Sequence, residues 1–261
     1  MKISFIGFGN MAKAIAQSLI NQKEYQLFAS FPSAIQGING EGITTSPDNR
    51  EVIKDADIVI LAIKPAQMPE VLGEIALFLP MKSLVISIAA GISVSWLQSQ
   101  CRKEQAIIRS MPNTPIAVGK GATPLIANDQ VTIEQKQWVE KLFQNTGIIS
   151  WVTEESQMDP FTALSGSGPA YVFLFMEAMI KAAQKLGLDE NIAKQFTMQT
   201  IAGAVELAEQ SEFDISELRK KVTSPAGTTA AALTVLQQQD FETLVFNAMK
   251  AACGRARELS L

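Results

Sequence analysis

The sequence predicts an α/β protein, an N-terminal doubly wound sheet followed by an all-helical C-terminal domain, on three observations. Short β-rich runs alternate with helical spacing through the first half of the 261 residues. A glycine-rich turn stands directly after the first of those runs. From Asp159 onward strand signals nearly vanish, and Ala, Leu, Gln and Met recur at helical spacing. Alternating strands and helices mark a parallel sheet covered on both faces. Right-handed crossovers then gather the functional loops at the C-terminal ends of the strands. The change of pattern divides the chain into residues 1–152 and 153–261.

The first strand is expected over Ile3 to Ile6, and the turn after it reads Gly7-Phe8-Gly9-Asn10-Met11-Ala12. Helical spacing starts at once through Met11, Ala12, Ile15, Ala16, Leu19 and Ile20. Strand, G-x-G-x-x-A and helix in succession is the Rossmann-like, dinucleotide-binding arrangement. Gly7 permits the tight turn, Gly9 lets a pyrophosphate approach the backbone, and Ala12 lets the helix pack on the strand. The helix start offers free N–H groups to phosphates. Further strands are expected at Gln26 to Ser30, Ile58 to Ala62, Leu84 to Ile88, Ala106 to Met111 and Ile148 to Val152. Helices are expected near 11–22, 48–54, 67–79, 93–100 and 132–145.

In the second half, helices are expected over about 168–186, 190–210, 214–221, 228–237 and 240–258. Gly187 suits a C-cap, and Asp189 and Asp214 suit N-caps. The helix from Ala170 to Leu186 is apolar around most of its circumference, through Val172, Phe173, Leu174, Phe175, Met176, Met179 and Ile180. Such a helix must be covered on more than one side. A second subunit is expected to supply the cover, the other reading being a central helix inside its own bundle.

Composition narrows the chemistry. Apolar residues make up 47%, charged residues 18%, and the net charge is −4, so there is no basic footprint for nucleic acid. The chain contains no histidine, which removes the commonest metal ligand and the commonest general base. With two distant cysteines, Cys101 and Cys253, no metal site is expected, and reduced thiols in a cytoplasmic protein are the reading. No leader peptide is expected, because a strand is expected near the start of the sequence. No membrane span is expected: the longest apolar candidate, Phe161 to Met176, is interrupted by Ser165-Gly166-Ser167-Gly168-Pro169. Chemistry must come from a bound cofactor, with the protein supplying position and hydrogen bonds.

The strand ends carry the candidate site. No acidic residue stands between Tyr25 and Gly40, where a carboxylate would grip the ribose of NAD, so NADP is favoured mildly over NAD. Ser30, Asn49 and Arg50 are the polar groups within reach of that end. Lys64-Pro65 closes one strand, and Pro65 keeps Lys64 extended; the plainer reading of Lys64 is a solvated loop charge. Ala89-Ala90-Gly91 closes the next in small residues that admit a flat ring. Pro112-Asn113-Thr114-Pro115 makes a stiff loop suited to holding an amide. Ser224-Pro225-Ala226-Gly227-Thr228-Thr229 opens a helix in the second half. A small carboxylate fits the N–H groups near Gly227 and Thr228, with a threonine hydroxyl facing a reacting nitrogen. A simple N-cap is the equal alternative for either threonine.

Taken in order, G-F-G-N-M-A, L-A-I-K-P, S-I-A-A-G, R-S-M-P-N-T-P, A-L-S-G-S-G-P-A-Y and V-T-S-P-A-G-T-T-A-A-A-L resemble pyrroline-5-carboxylate reductase over nearly the whole chain. The resemblance implies a Rossmann domain joined to a helical domain. It implies reduction of the cyclic imine 1-pyrroline-5-carboxylate to L-proline, the last step of proline synthesis, with NADPH or NADH. It implies that Gly7, Gly9, Asn10 and Met11 cradle the pyrophosphate, and that Asn49 lies near the adenosine. Ala62, Lys64 and Pro65 would line the ribose and phosphate path, and Ala89, Ala90 and Gly91 the nicotinamide side. The Ser224 to Thr229 loop would hold the substrate carboxylate, and Thr229 would hydrogen-bond the ring nitrogen. Family members dimerise through the helical domains, and some dimers assemble into decamers. Phe31 stands where relatives often carry a polar or basic residue, and Lys221 where some carry Asn. Two rivals are weighed. A β-hydroxyacid dehydrogenase would place a lysine soon after the Gly166-Ser167-Gly168 stretch, yet none occurs before Lys181. A non-catalytic NADP-binding regulator would have little reason for the threonine loop.

Overall fold

The computed structural model describes residues 1–259; positions 260 and 261, the end of the expected helical domain, lie outside the described residues. Among the described residues nine strands form one sheet: β1 (Lys2–Ile6), β2 (Gln26–Ser30), β3 (Gly37–Ile38), β4 (Thr44–Ser46), β5 (Ile58–Leu61), β6 (Leu84–Ser87), β7 (Ala106–Ser110), β8 (Gly121–Ala127) and β9 (Gly147–Trp151). Their order is β3-β4-β2-β1-β5-β6-β7-β8-β9. The chain leaves β1 towards β2 and later returns to β5 on its other side, so the switch point lies between β1 and β5. In open α/β sheets that is where a ligand crevice opens.

The helices of this half are α1 (Asn10–Leu19), α2 (Asn49–Ile53), α3 (Met68–Ile75), α4 (Val94–Gln100) and α5 (Ile133–Phe143). Strand alternation divides the core between two faces. Ile3, Phe5, Ile58, Ile60, Leu84 and Ile86 pack with Ile15 and Leu19 of α1 and with Val139 and Phe143 of α5. Ile6, Val59, Leu61 and Val85 pack with Val52 of α2, Met68 and Leu72 of α3 and Leu97 of α4. Each fully buried side chain of this kind contributes about 1.5–3 kcal/mol. Burial on both faces explains why β5 reads as an unbroken apolar run and β6 is apolar up to its last residue, Ser87.

The expected all-parallel sheet needs amendment. β8 runs antiparallel to β7, and β3 antiparallel to β4. Neither β3, β4 nor β8 is foreseen, because Pro124 interrupts β8 and two- or three-residue strands carry no periodicity.

The second half holds α6 (Met158–Phe161), α7 (Gly168–Lys185), α8 (Glu190–Gln210), α9 (Ile215–Lys221), α10 (Thr228–Gln238) and α11 (Phe241–Glu258). Gly187 has φ +100, and Asp189 caps α8 by accepting from the N–H groups of Asn191 and Ile192. The Gly/Ser stretch is not the interruption expected. Helical conformation runs from Glu155 to Lys185, with a π-helical turn at Thr162–Gly166. That turn takes in Gly166 and α7 starts at Gly168, and the stretch is long and apolar enough to cross a membrane by length and composition alone.

Two compact units result among the described residues: residues 1–169 with 251–259, and residues 170–250. The first holds both cores. In the second, only Ala193 and Thr197 are buried, while Phe173 and Leu174 of α7 are 59% and 67% exposed and Phe196 of α8 is 67% exposed. A helical unit this apolar has no core of its own.

Candidate active site

β1 ends at Gly7, whose φ of +85 only glycine adopts without strain. Its N–H donates to Ser30 O at 2.8 Å, tying the end of β1 to the end of β2. A Cβ at Gly7 would sit 2.6 Å from the carbonyl oxygen of Ala62, after β5. The turn is therefore closed tightly across the switch point. Gly9 is the opposite case: a Cβ there meets nothing within 4 Å. It is the N-cap of α1 and has no side chain to bond the first N–H groups, and no acidic residue lies in the first turn. Open space, free donors and a positive helix end fit a dinucleotide pyrophosphate. Asn10 is exposed at this helix start and Met11 half-buried beside it.

At the end of β2 the ring of Phe31 stacks on that of Phe8, with centroids 6.1 Å apart and planes 18° apart. Ser30 is fully buried, so its hydroxyl faces no open cleft. It donates to Asn49 Oδ1 at 2.5 Å, and Asn49 Nδ2 donates to Glu74 Oε2 at 2.9 Å. Ser30 thus reaches the site through Asn49, not by the direct cofactor contact expected of it. The guanidinium of Arg50 lies over the ring of Phe78, 4.4 Å from its centroid.

After β5, Ala62 bonds back to Ile6 O at 2.8 Å and Lys64 is extended at φ −66, ψ 146 and exposed. Pro65 then starts a short 3₁₀ turn, Pro65–Gln67. After β6, Ala89 N–H bonds Ser87 Oγ at 3.3 Å and Gly91 turns at φ +73. These residues line the same C-terminal edge as the glycine turn, as the topology requires. Asn113 is nearby in the chain of β7 but differently employed. It is buried, its Nδ2 donates to Ser165 O at 2.9 Å, and its Oδ1 accepts from Ala122 N at 2.9 Å. Both ends of the amide are engaged within the protein, so Asn113 braces the loop between Ser165 and Ala122. Sequence reasoning also missed Glu155, which pairs with buried Arg109 at the edge of β7 and accepts from Val94 N at 3.3 Å.

In the helical unit, the threonine loop ends in a strained turn. Ala226 has φ +58, and a Cβ on Gly227 would fall 2.4 Å from Ser224 Oγ. Gly227 is the N-cap of α10, without a side-chain cap bond, so Thr228 and Thr229 are the first helical residues and neither is the cap. Thr229 is half-buried and Thr228 exposed. The first N–H groups of α10 are therefore left without a side-chain cap, the condition under which a helix start can take a small anion. Lys181, the first lysine after the Gly/Ser stretch, is exposed and pairs with Glu177 at 3.6 Å.

The switch-point crevice and glycine turn define a dinucleotide-binding α/β protein carrying a helical unit. Residues 155–259 match the family model described as pyrroline-5-carboxylate reductase dimerisation, and residues 2–91 the model described as NADP oxidoreductase, coenzyme F420-dependent. A pyrroline-5-carboxylate reductase of Pseudomonas aeruginosa is 43% identical, over 99% of this chain and 97% of its own. The structure of the Coxiella burnetii enzyme superposes with a TM-score of 0.91 at 39% identity, covering 99% of this chain and 98% of that one. The Plasmodium falciparum pyrroline carboxylate reductase with NADP bound does so with a TM-score of 0.91 at 34% identity, covering 100% and 98%. The chain belongs to the pyrroline-5-carboxylate reductase family.

Proposed function

We propose that this chain reduces 1-pyrroline-5-carboxylate to L-proline with NADPH, closing proline biosynthesis. The observation that carries the reading is the 43% identity to a pyrroline-5-carboxylate reductase along essentially the whole length. NADH remains the alternative reductant. When bound, NADPH supplies the hydride that converts the C=N carbon to CH. The protein's own part is positioning. Gly7, Gly9, Asn10 and Met11 hold the pyrophosphate; Asn49, Ala62, Lys64 and Pro65 follow the adenosine and ribose; Ala89, Ala90 and Gly91 admit the nicotinamide. Ser30 and Asn113 support these from behind. The N–H groups at Gly227 and Thr228, with Ser224, hold the substrate carboxylate, and the Thr229 hydroxyl orients the ring nitrogen. A protonated imine already carries its proton on nitrogen, so no strong base is needed, in keeping with a chain that has no histidine.

The helical domain, drawn at residues 153–261, serves substrate binding and pairing of two chains. Its uncovered α7 and α8 support a homodimer, a decamer being a further assembly of such dimers. A cytoplasmic location is part of the same reading, in keeping with the free thiols Cys101 and Cys253. The test is proline-dependent reduction of NADP at alkaline pH by the purified protein, with NAD and a β-hydroxyacid in parallel. Turnover with proline and none with the hydroxyacid is expected; no turnover with proline overturns the assignment.

A further inference from the structure

Asn49 is held by two hydrogen bonds that leave its amide one orientation. A carboxylate only accepts, so the Asn49 atom facing Glu74 Oε2 at 2.9 Å is Nδ2, the donor. The other atom, Oδ1, then faces Ser30, whose hydroxyl must donate across 2.5 Å. Ser30 lies at the end of β2, Asn49 opens α2, and Glu74 sits in the last turn of α3. Three elements thus contribute one residue each to a chain of bonds beside the glycine turn. One Nδ2 hydrogen is used on Glu74, and the second is left over.

We infer that Glu74 is a positioning residue for the cofactor: by fixing the Asn49 amide it reserves the second Nδ2 hydrogen for an oxygen at the adenosine ribose end. This rests on the cofactor reading above. Without Glu74 the amide is free to turn over and present oxygen to oxygen. The effect belongs to cofactor affinity and not to the chemical step, because nothing in the bond chain touches the small-residue nicotinamide edge at Ala89 to Gly91. Glu74 also brings a negative charge, which opposes a 2′-phosphate. The amide of Gln at this position removes the charge and still offers an accepting oxygen, so the two effects separate.

The experiment is calorimetric titration of the intact protein with NADPH, joined to steady-state kinetics, for wild type, Glu74→Ala, Glu74→Gln, Asn49→Ala and the double variant Asn49→Ala/Glu74→Ala. Glu74→Ala is expected to weaken NADPH binding at least fivefold while kcat and the substrate KM stay within twofold. Glu74→Gln is expected within threefold of wild type. In the Asn49→Ala background, removing Glu74 should not weaken binding further, because the amide it orients is gone and only the repelling charge is lost. In the cofactor-free protein, the Asn49 side-chain amide should give one resolved pair of NMR signals that broadens or shifts in Glu74→Ala. Wild-type affinity in Glu74→Ala overturns the assignment, as does an equal loss with and without Asn49. A wild-type protein that binds no NADPH overturns the cofactor reading itself.

Discussion

At the scale of single residues, the two glycines of the first turn separate folding from binding. Gly7 combines φ +85 with a Cβ position 2.6 Å from a backbone carbonyl, so Gly7→Ala must move β1 or the chain after β5. A cost of about 2 kcal/mol or more in urea unfolding is expected. Gly9→Val meets no protein atom near its Cβ and should unfold as wild type does, yet raise the NADPH KM at least tenfold by filling the phosphate's approach. Thr229→Val should keep the fold and lower kcat on the order of 10²-fold if the hydroxyl acts as a positioned donor; wild-type turnover would remove that role. Burial pushes the Cys101 thiol up to about 11, so at pH 8 roughly one molecule in a thousand carries the thiolate. Iodoacetamide at pH 8 should leave Cys101 unmodified in a mass map, with labelling rising as pH climbs towards 11. The motif residues were legible in the sequence because turns and helix starts demand particular side chains locally. Ser30 and Asn113 were legible as polar groups near the cleft but not in their direction. Which way a side chain faces is decided by partners such as Asn49 and Ala122.

Among elements, the parallel strands and long helices declared themselves through periodicity, whereas β8 and the π turn did not. The π-helical turn at Thr162–Gly166 reads as a break because glycine and serine are weak helix formers. It persists because Ser165 Oγ bonds Phe161 O at 2.9 Å, its carbonyl accepts from Asn113, and Gly166 lies against Met111. Tertiary contacts override propensity there. The same junction carries the Arg109–Glu155 pair, joining the edge of β7 to the first turn of the helical stretch. The Arg109 side chain is 3% exposed, Glu155 36%, and Arg109 Nε is buried without a partner. Removing the carboxylate strands a guanidinium in the core. Glu155→Ala should therefore cost ~2 kcal/mol by urea denaturation, below the ~3–5 kcal/mol of a wholly buried pair because Glu155 keeps contact with water. A loss under ~0.5 kcal/mol would mean that the pair is only incidental to the fold.

For the whole molecule, the contrast between the two units decides the expected assembly. The first unit buries complete side chains on both faces of its sheet, such as Phe5, Ile60 and Phe143 on one and Val59, Leu61 and Met68 on the other. The second leaves Phe173, Leu174, Phe196 and Phe246 open. Covering each such side chain is worth about 1.5–3 kcal/mol, far more than a marginally stable domain can forgo. The sequence shows this excess directly, since an all-round apolar α7 cannot be satisfied by one neighbouring layer. The same apolarity also satisfies the length and composition of a membrane span from Glu155 to Lys185. A second copy of the chain covers that face in the proposed dimer, so detergent should not be needed to keep the purified protein in solution. Sedimentation at micromolar concentration should give at least twice the 28.3 kDa of one chain. Phe173→Glu/Leu174→Glu should move the mass to a single chain and abolish turnover. Its far-UV circular dichroism should lose helix while NADPH still binds the first unit, because that unit's two cores are built from its own strands and helices. A wild-type protein that sediments as one chain and turns over at full rate would mean that the helical unit stands alone, with its apolar face in water.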